Sequence, residues 1–190
     1  IRSQAFENVT LPTNGFDLAV SNVPFGDYAP FDPKLNPRKF PIHDYYFVAA
    51  AERVRPGGLV AFVTSRGTLD KQYPHLREAV AKSCDFIGAI RLPNTAFKKN
   101  ANTEVTTDII IIRKPDGTPF KGEAWRDLVE VGRSTVTLKQ GKDQLIGDLR
   151  KEAERLVTPL REHGERGAIL IDVSAPIMVN EYFVNHPQNV

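Results

Sequence analysis

The sequence predicts an α/β fold built on an open, mostly parallel sheet, and three observations lead there. Apolar runs are short and nearly continuous, as in Leu59 to Val63 and Ile109 to Ile112, which is the pattern of strands buried on both faces. They alternate with segments whose apolar residues fall at helical spacing. Clusters of Pro, Gly, Asn and Asp punctuate the two kinds of segment.

The elements follow in order. Pro12-Thr13-Asn14-Gly15 is a turn cluster, and Phe16 to Val20 after it reads as a first strand ending at Ser21-Asn22. A loop carrying Pro24, Pro30, Pro33, Pro37 and Pro41 precedes a helix from His43 to Val54, whose Tyr46, Phe47, Ala50 and Val54 share a face. Pro56-Gly57-Gly58 stops that helix and turns the chain into a second strand, Leu59 to Val63. A second helix over His75 to Ser83, a third strand over Phe86 to Ile90 and a fourth over Thr107 to Ile112 complete the set. The last two strands have no helix between them, so the spacing predicts an antiparallel edge strand.

Beyond Pro115 the composition changes. Pro115-Asp116-Gly117-Thr118-Pro119 is a linker-like cluster, and within 139–166 Ile146, Leu149, Ala153, Leu156 and Leu160 recur at three- and four-residue steps. The expectation is therefore an α/β unit over residues 1–115, followed over 116–190 by a linker and a helical extension. Asn180-Glu181-Tyr182-Phe183 reads as the start of another element, and with Ile1 in place of an initiator Met both ends read as cut.

Of the 190 residues 41% are apolar, enough for one packed domain, and the net charge is only +2. No global field demands an anionic partner. Locally, residues 66–102 hold seven Lys/Arg (66, 71, 77, 82, 91, 98, 99) against three acids (70, 78, 85), either a strip facing phosphate or a solvated helix face. One cysteine, Cys84, cannot form an internal disulfide, and with four scattered His there is no metal-ligand spacing. The apolar runs are too short for membrane spans and no signal pattern opens the chain, so a cytoplasmic setting is expected.

Ligands of open α/β sheets bind beyond the carboxyl ends of the strands, and Asn22-Val23-Pro24-Phe25-Gly26 follows the first strand there. This stretch resembles the catalytic loop of DNA amino-methyltransferases, a motif of Asp, Asn or Ser, then Pro, Pro and an aromatic residue. Here Val23 stands at the first proline. Val23 is β-branched and precedes Pro24, so it still favours extended backbone.

The likeness continues in order through roughly residues 6–113. Asp44 opens the helix, Pro56-Gly57-Gly58 leads into the second strand, and Arg91-Leu92-Pro93-Asn94-Thr95-Ala96-Phe97 precedes Thr106-Thr107-Asp108 and the last strand. Asn-Val-Pro-Phe-Gly-Asp-Tyr at 22–28, His-Asp-Tyr-Tyr-Phe at 43–47, Gly-Thr-Leu-Asp-Lys at 67–71 and Asn-Glu-Tyr-Phe-Val-Asn-His-Pro at 180–187 are similar to one group in particular. That group is the N6-adenine methylase module of very large phage- and plasmid-borne proteins that join a methylase to a helicase.

The resemblance implies the C-terminal part of a Rossmann-like methyltransferase, with S-adenosylmethionine as methyl donor and a flipped-out adenine of DNA as acceptor. It implies that the Asn22 side chain and the Val23 carbonyl accept the two amino hydrogens of adenine, and that Phe25 stacks on the extruded ring. Pro24 holds the loop between them, Phe97 helps to hold the base from its other side, and Asn22 also adjoins the cofactor. Asp44 is either a helix N-cap or a cofactor contact, and Glu7 lies where the family lines the cofactor's adenine.

Two features of the family are not found: a glycine-rich turn following an earlier strand, and an acidic residue for the ribose hydroxyls. The expectation is that the cofactor-holding half precedes Ile1 in a larger parent. Two alternatives stay open. One is a methyltransferase acting on another amino group, cytosine N4, guanine N2 of RNA or a protein glutamine; the other is a non-catalytic DNA-binding remnant.

Overall fold

In the computed structural model, which describes residues 3–98, 105–139, 161–162 and 169–190, β1 (Phe16–Asn22) and β2 (Val54–Ser65) pair in parallel, linked by α1 (Ile42–Arg53). The chain then forms α2 (Gly67–Asp70) and α3 (His75–Ala81) before β3 (Asp85–Leu92) and β4 (Thr107–Arg113). β4 is antiparallel to both β2 and β3, giving the order β1-β2-β4-β3. Three of the four strands thus share one direction.

The antiparallel strand expected at the edge lies inside the sheet instead, and β3 takes the edge. The physical reason is spacing. The crossover through α2 and α3 carries the chain one strand-width past β2, and β4 fills the gap, pairing its backbone on both sides.

Alternation along the strands sorts the sheet into two faces. On one, Val60, Phe62, Ile110, Ile112, Phe86 and Ala89 are buried with Phe47 and Ala50 of α1 and Leu76 and Val80 of α3. The Phe47 and Phe62 rings meet edge to face at 5.1 Å. On the other, Leu18, Val20 and Ile90 are exposed, while Leu59, Ala61, Val63, Ile109 and Ile111 are half-buried. The near-continuous apolar strands therefore have two apolar faces, of which α1 and α3 cover one.

β2 starts earlier than the sequence suggests. Val54 already pairs with Phe16, and the register shifts between Phe16 and Leu18. Pro56-Gly57-Gly58 is thus an irregular entry within the strand rather than a turn before it. Gly57 has φ +76°, and a Cβ on Gly58 would lie 2.8 Å from the Arg55 carbonyl and 3.0 Å from that of Asp17, so both positions require glycine.

The chain divides into two compact units, 1–129 with 179–190, and 130–178. Beyond β4 the described elements are β5 (Leu128–Lys139), β6 (Arg161–Glu162) and β7 (Ile169–Asn180), a three-stranded sheet of order β5-β7-β6. These strands were not anticipated. The residues that carry the expected amphipathic helix, 146 to 160, lie outside the described part of the chain. The element expected at Asn180 is α4 (Glu181–Asn185), with the Asn180 side chain accepting from the Tyr182 amide.

Buried polar groups tie the first unit together. Arg91 makes a two-pronged pair with Asp108, at 2.8 and 2.9 Å, reaches Asp70 at 3.0 Å and lies 4.3 Å over the Phe183 ring. Burial alone would lower the Arg91 pKa, but the two carboxylates outweigh it and hold the guanidinium charged. Arg77, 1% exposed, donates to the carbonyls of Leu69, Lys71 and Arg126. Cys84 is buried, and burial pushes its thiol up to about 11, so it is an unreactive core residue. No described helix is long and apolar enough to cross a membrane.

Candidate functional site

Asn22 ends β1 and Val23 continues past it. The Val23 amide donates to the Val63 carbonyl at 3.0 Å, and the Val23 side chain, 1% exposed, sinks into the core. Both facts explain valine at this position: a proline could not donate that bond and would leave a smaller group in the core. The loop is thereby pinned to the sheet by one residue while its neighbours stay open. Asn22, Pro24 and Phe25 are exposed, Phe25 at 53%. Among the described residues nothing hydrogen-bonds to the Asn22 side chain or to the Val23 carbonyl. Two acceptors and an aromatic surface thus stand together and unspent at the carboxyl end of a parallel strand.

α1 begins beside this loop, with the Ile42 amide donating to the Tyr28 carbonyl at 3.0 Å. Its N-cap is Pro41, not Asp44. Proline fits there because its own missing N–H is not needed, and Asp44 is free to turn inward. Asp44 is 3% exposed and accepts from Lys71 Nζ at 2.6 Å, while His43 Nε2 lies 2.9 Å from the same ammonium. Burial lowers the pKa of His43, with the Asp44 charge opposing and Lys71 assisting, which favours the neutral ring. Lys71 pairs with Oδ2 of the Asp44 carboxylate, which is not the cap, while Asp44 Oδ1 and His43 Nδ1 are buried without a hydrogen-bond partner among the described residues.

Glu7 sits on a short 3₁₀ turn, Phe6–Asn8, docked on α1 through the Phe6 and Tyr46 rings, 4.7 Å apart. It is half-buried, and burial, seconded by the Glu7 charge, raises the Tyr46 hydroxyl. Phe97 is half-buried in the turn after β3, where the Ala96 amide donates to the Pro93 carbonyl at 2.9 Å.

The strip facing phosphate, one of the two readings left open for residues 66–102, is largely dismantled. Arg77 and Arg91 are internal, Lys71 is paired with Asp44, and Lys99 lies outside the described residues. Arg66, Lys82 and Lys98 are exposed. Sequence reading missed a different basic pair, Arg38-Lys39, in the proline-rich loop. These two residues, with Asp44, Thr68, Lys71, Tyr73 and His75 among others, line a cleft of ≈ 670 Å³. The signal available was weak: two adjacent cations among prolines. Among the described residues no cluster of His, Cys, Asp or Glu could hold a metal ion.

No family model matches the chain. It is 28% identical over 109 residues to the Defense against restriction protein B of Escherichia phage P1, a match covering 56% of this chain and 5% of that protein. Among solved structures it is similar to a class I S-adenosylmethionine-dependent methyltransferase of Listeria monocytogenes (TM-score 0.49, 22% identity), over 59% of this chain and 36% of that one. It is also similar to a modification subunit of a type I restriction enzyme from Vibrio vulnificus (TM-score 0.44, 18% identity), over 54% and 24% of the two chains. The chain thus spans a small fraction of the length of the curated relative and about a third or less of these structures.

Proposed function

We propose that the chain is the catalytic-loop part of a DNA methyltransferase that transfers a methyl group from S-adenosylmethionine to adenine N6. The observation that carries this reading is the unspent pair of acceptors, the Asn22 side chain and the Val23 carbonyl, beside the exposed Phe25. An adenine amino group is a poor nucleophile while its lone pair is delocalised into the ring. Two acceptors, one for each amino hydrogen, favour a more tetrahedral nitrogen and aim the lone pair outward. The amino proton lost on methylation leaves along one of these hydrogen bonds. Phe25 offers the face on which an extruded base stacks, a contact of roughly 1–3 kcal/mol, and Phe97 closes the base from its other side.

S-adenosylmethionine, when bound, supplies an electrophilic methyl on a sulfonium. The residues present fit only the reacting end of that group. Asn22 would adjoin it, Asp44 would offer the buried Oδ1 that Lys71 leaves unpartnered, and Glu7 would line the approach from the 3₁₀ turn. No glycine-rich turn follows a described strand, since Gly57 and Gly58 lie in the entry to β2. The remainder of the cofactor site belongs to another part of the parent protein. The half-open apolar face with Leu18, Val20 and Ile90, beside the free edge of β1, supports this, because sheets with parallel strands are stable when covered on both faces. In this reading residues 1–115 are the C-terminal half of the catalytic domain and 116–190 lead toward the next domain of the parent, a helicase in the group it resembles. A setting in defence against restriction is supported by the phage P1 relative's name.

Two measurements test the proposal. Titration calorimetry of the 190-residue chain with S-adenosylmethionine is expected to give no binding tighter than the millimolar range; micromolar binding contradicts the divided cofactor site. With the intact parent and labelled cofactor, label is expected in DNA and, after digestion, in N6-methyladenine. Label in cytosine N4, RNA guanine or protein glutamine contradicts adenine specificity, and no label supports a non-catalytic remnant.

A further inference from the structure

Arg38 and Lys39 are exposed in a loop that the structure holds with unusual care. Asn36, 4% exposed, donates to the carbonyls of Pro30 and Phe40 at 3.0 Å each and accepts from the Phe40 amide at 2.7 Å. Asp32 accepts from the amides of Lys34 and Leu35 and from the Tyr45 hydroxyl, which anchors the loop to α1. Between these fixings Lys39 has φ +54°, a left-handed conformation that is uncommon for a side-chain-bearing residue and persists where surroundings impose it. The outcome is a fixed backbone under two exposed cations that line the ≈ 670 Å³ cleft.

The same cleft has an aromatic surface. Tyr73 is 60% exposed, and its ring stacks on that of His75 at 6.1 Å with an interplanar angle of 14°. Lys71, held by Asp44 and His43, lines the cleft as well. Three cations, Arg38, Lys39 and Lys71, against two acids, Asp44 and Glu78, in one cleft with an exposed aromatic ring match a backbone phosphate and an unstacked base of one nucleotide. An acidic protein surface would use the cations but has no need of the ring.

We propose that this cleft is a second nucleic-acid subsite, in which Arg38 and Lys39 take the phosphate of a DNA strand and the Tyr73–His75 pair stacks a base other than the one methylated. The subsite rests on the reading of DNA as substrate. Its contacts are sequence-tolerant, so it positions the strand without specifying the recognition site.

The test is fluorescence anisotropy of a labelled single-stranded DNA of about 12 nucleotides titrated with the 190-residue chain at about 50 mM salt. The double variant R38A/K39A is expected to bind roughly tenfold more weakly, with a slope of log K against log salt shallower by about 0.7, one phosphate's worth. Tyr73→Ala is expected to weaken binding about fivefold or more, and Tyr73→Phe to restore it. Arg55→Ala, which removes one cation at the amino end of β2, is expected to stay within about twofold. No binding by the unaltered chain, both cleft variants within twofold of it, or an Arg55→Ala loss as large as theirs overturns the proposal. So does displacement of the DNA by polyglutamate as readily as by unlabelled DNA, which assigns the cleft to an acidic protein. Methyl transfer is not read, so failure here leaves the role of Asn22 standing, and failure at Asn22 leaves the binding result standing.

Discussion

Asn22→Ala in the intact parent protein is expected to lower kcat by about 10²–10³-fold with little change in KM for DNA, the loss that accompanies removal of one preorganised partner used only in the transition state. The side chain is exposed and holds nothing in place, so the variant keeps its fold and the loss is one of chemistry. Asn22→Asp retains an acceptor and is expected to keep a substantial part of the activity. A loss smaller than about tenfold for the alanine variant would remove Asn22 from the reaction. An equal loss for the aspartate variant would show that the neutral, donating amide rather than acceptance alone matters there.

The second large effect is on stability. Arg91→Met keeps much of the side-chain length but leaves Asp108, which is 0% exposed, and Asp70 without their cation. Breaking a buried pair from one side costs about 3–5 kcal/mol, read as a lower urea midpoint at unchanged slope. Adding Asp108→Asn to Arg91→Met is expected to recover part of the loss by removing the stranded charge. Burial already raises the Asp108 carboxyl above its ordinary value, and loss of Arg91 raises it further. The folded variant then binds a proton where the unfolded chain does not, so the destabilisation is greatest at neutral pH and shrinks as the pH falls. A loss below about 1 kcal/mol would mean that water reaches the two carboxylates once the arginine is gone.

The four central strands were legible because each is a short apolar run, and the loop after β1 was legible because its residues are distinctive and stand at a strand end. What the sequence hid were pairings made across long separations. Arg77 and Arg91 count as two surface cations in a composition, yet one is spent on three carbonyls and the other on Asp70, Asp108 and Phe183. Asp44 has the residue type of a helix cap, but Lys71, 27 positions on, claims it. The insertion of β4 between β2 and β3 depends on the width of a crossover, which local pattern does not carry. β5 escaped because Leu128 to Lys139 mixes charges with apolar residues at strand spacing too weak to separate from a polar loop, and β7 because Pro176 interrupts its apolar run. Arg38-Lys39 looked like loop decoration until the Asn36 fixings and the left-handed Lys39 backbone placed it at the cleft.

The central claim is that the loop at Asn22-Val23-Pro24-Phe25 methylates adenine. Nucleoside mass spectrometry of DNA from cells expressing the complete reading frame, in a host without its own adenine methylases, tests it most directly. The account predicts N6-methyladenine with the unaltered protein and its near disappearance with Asn22→Ala. Equal N6-methyladenine from both, or none from the unaltered protein, would contradict it.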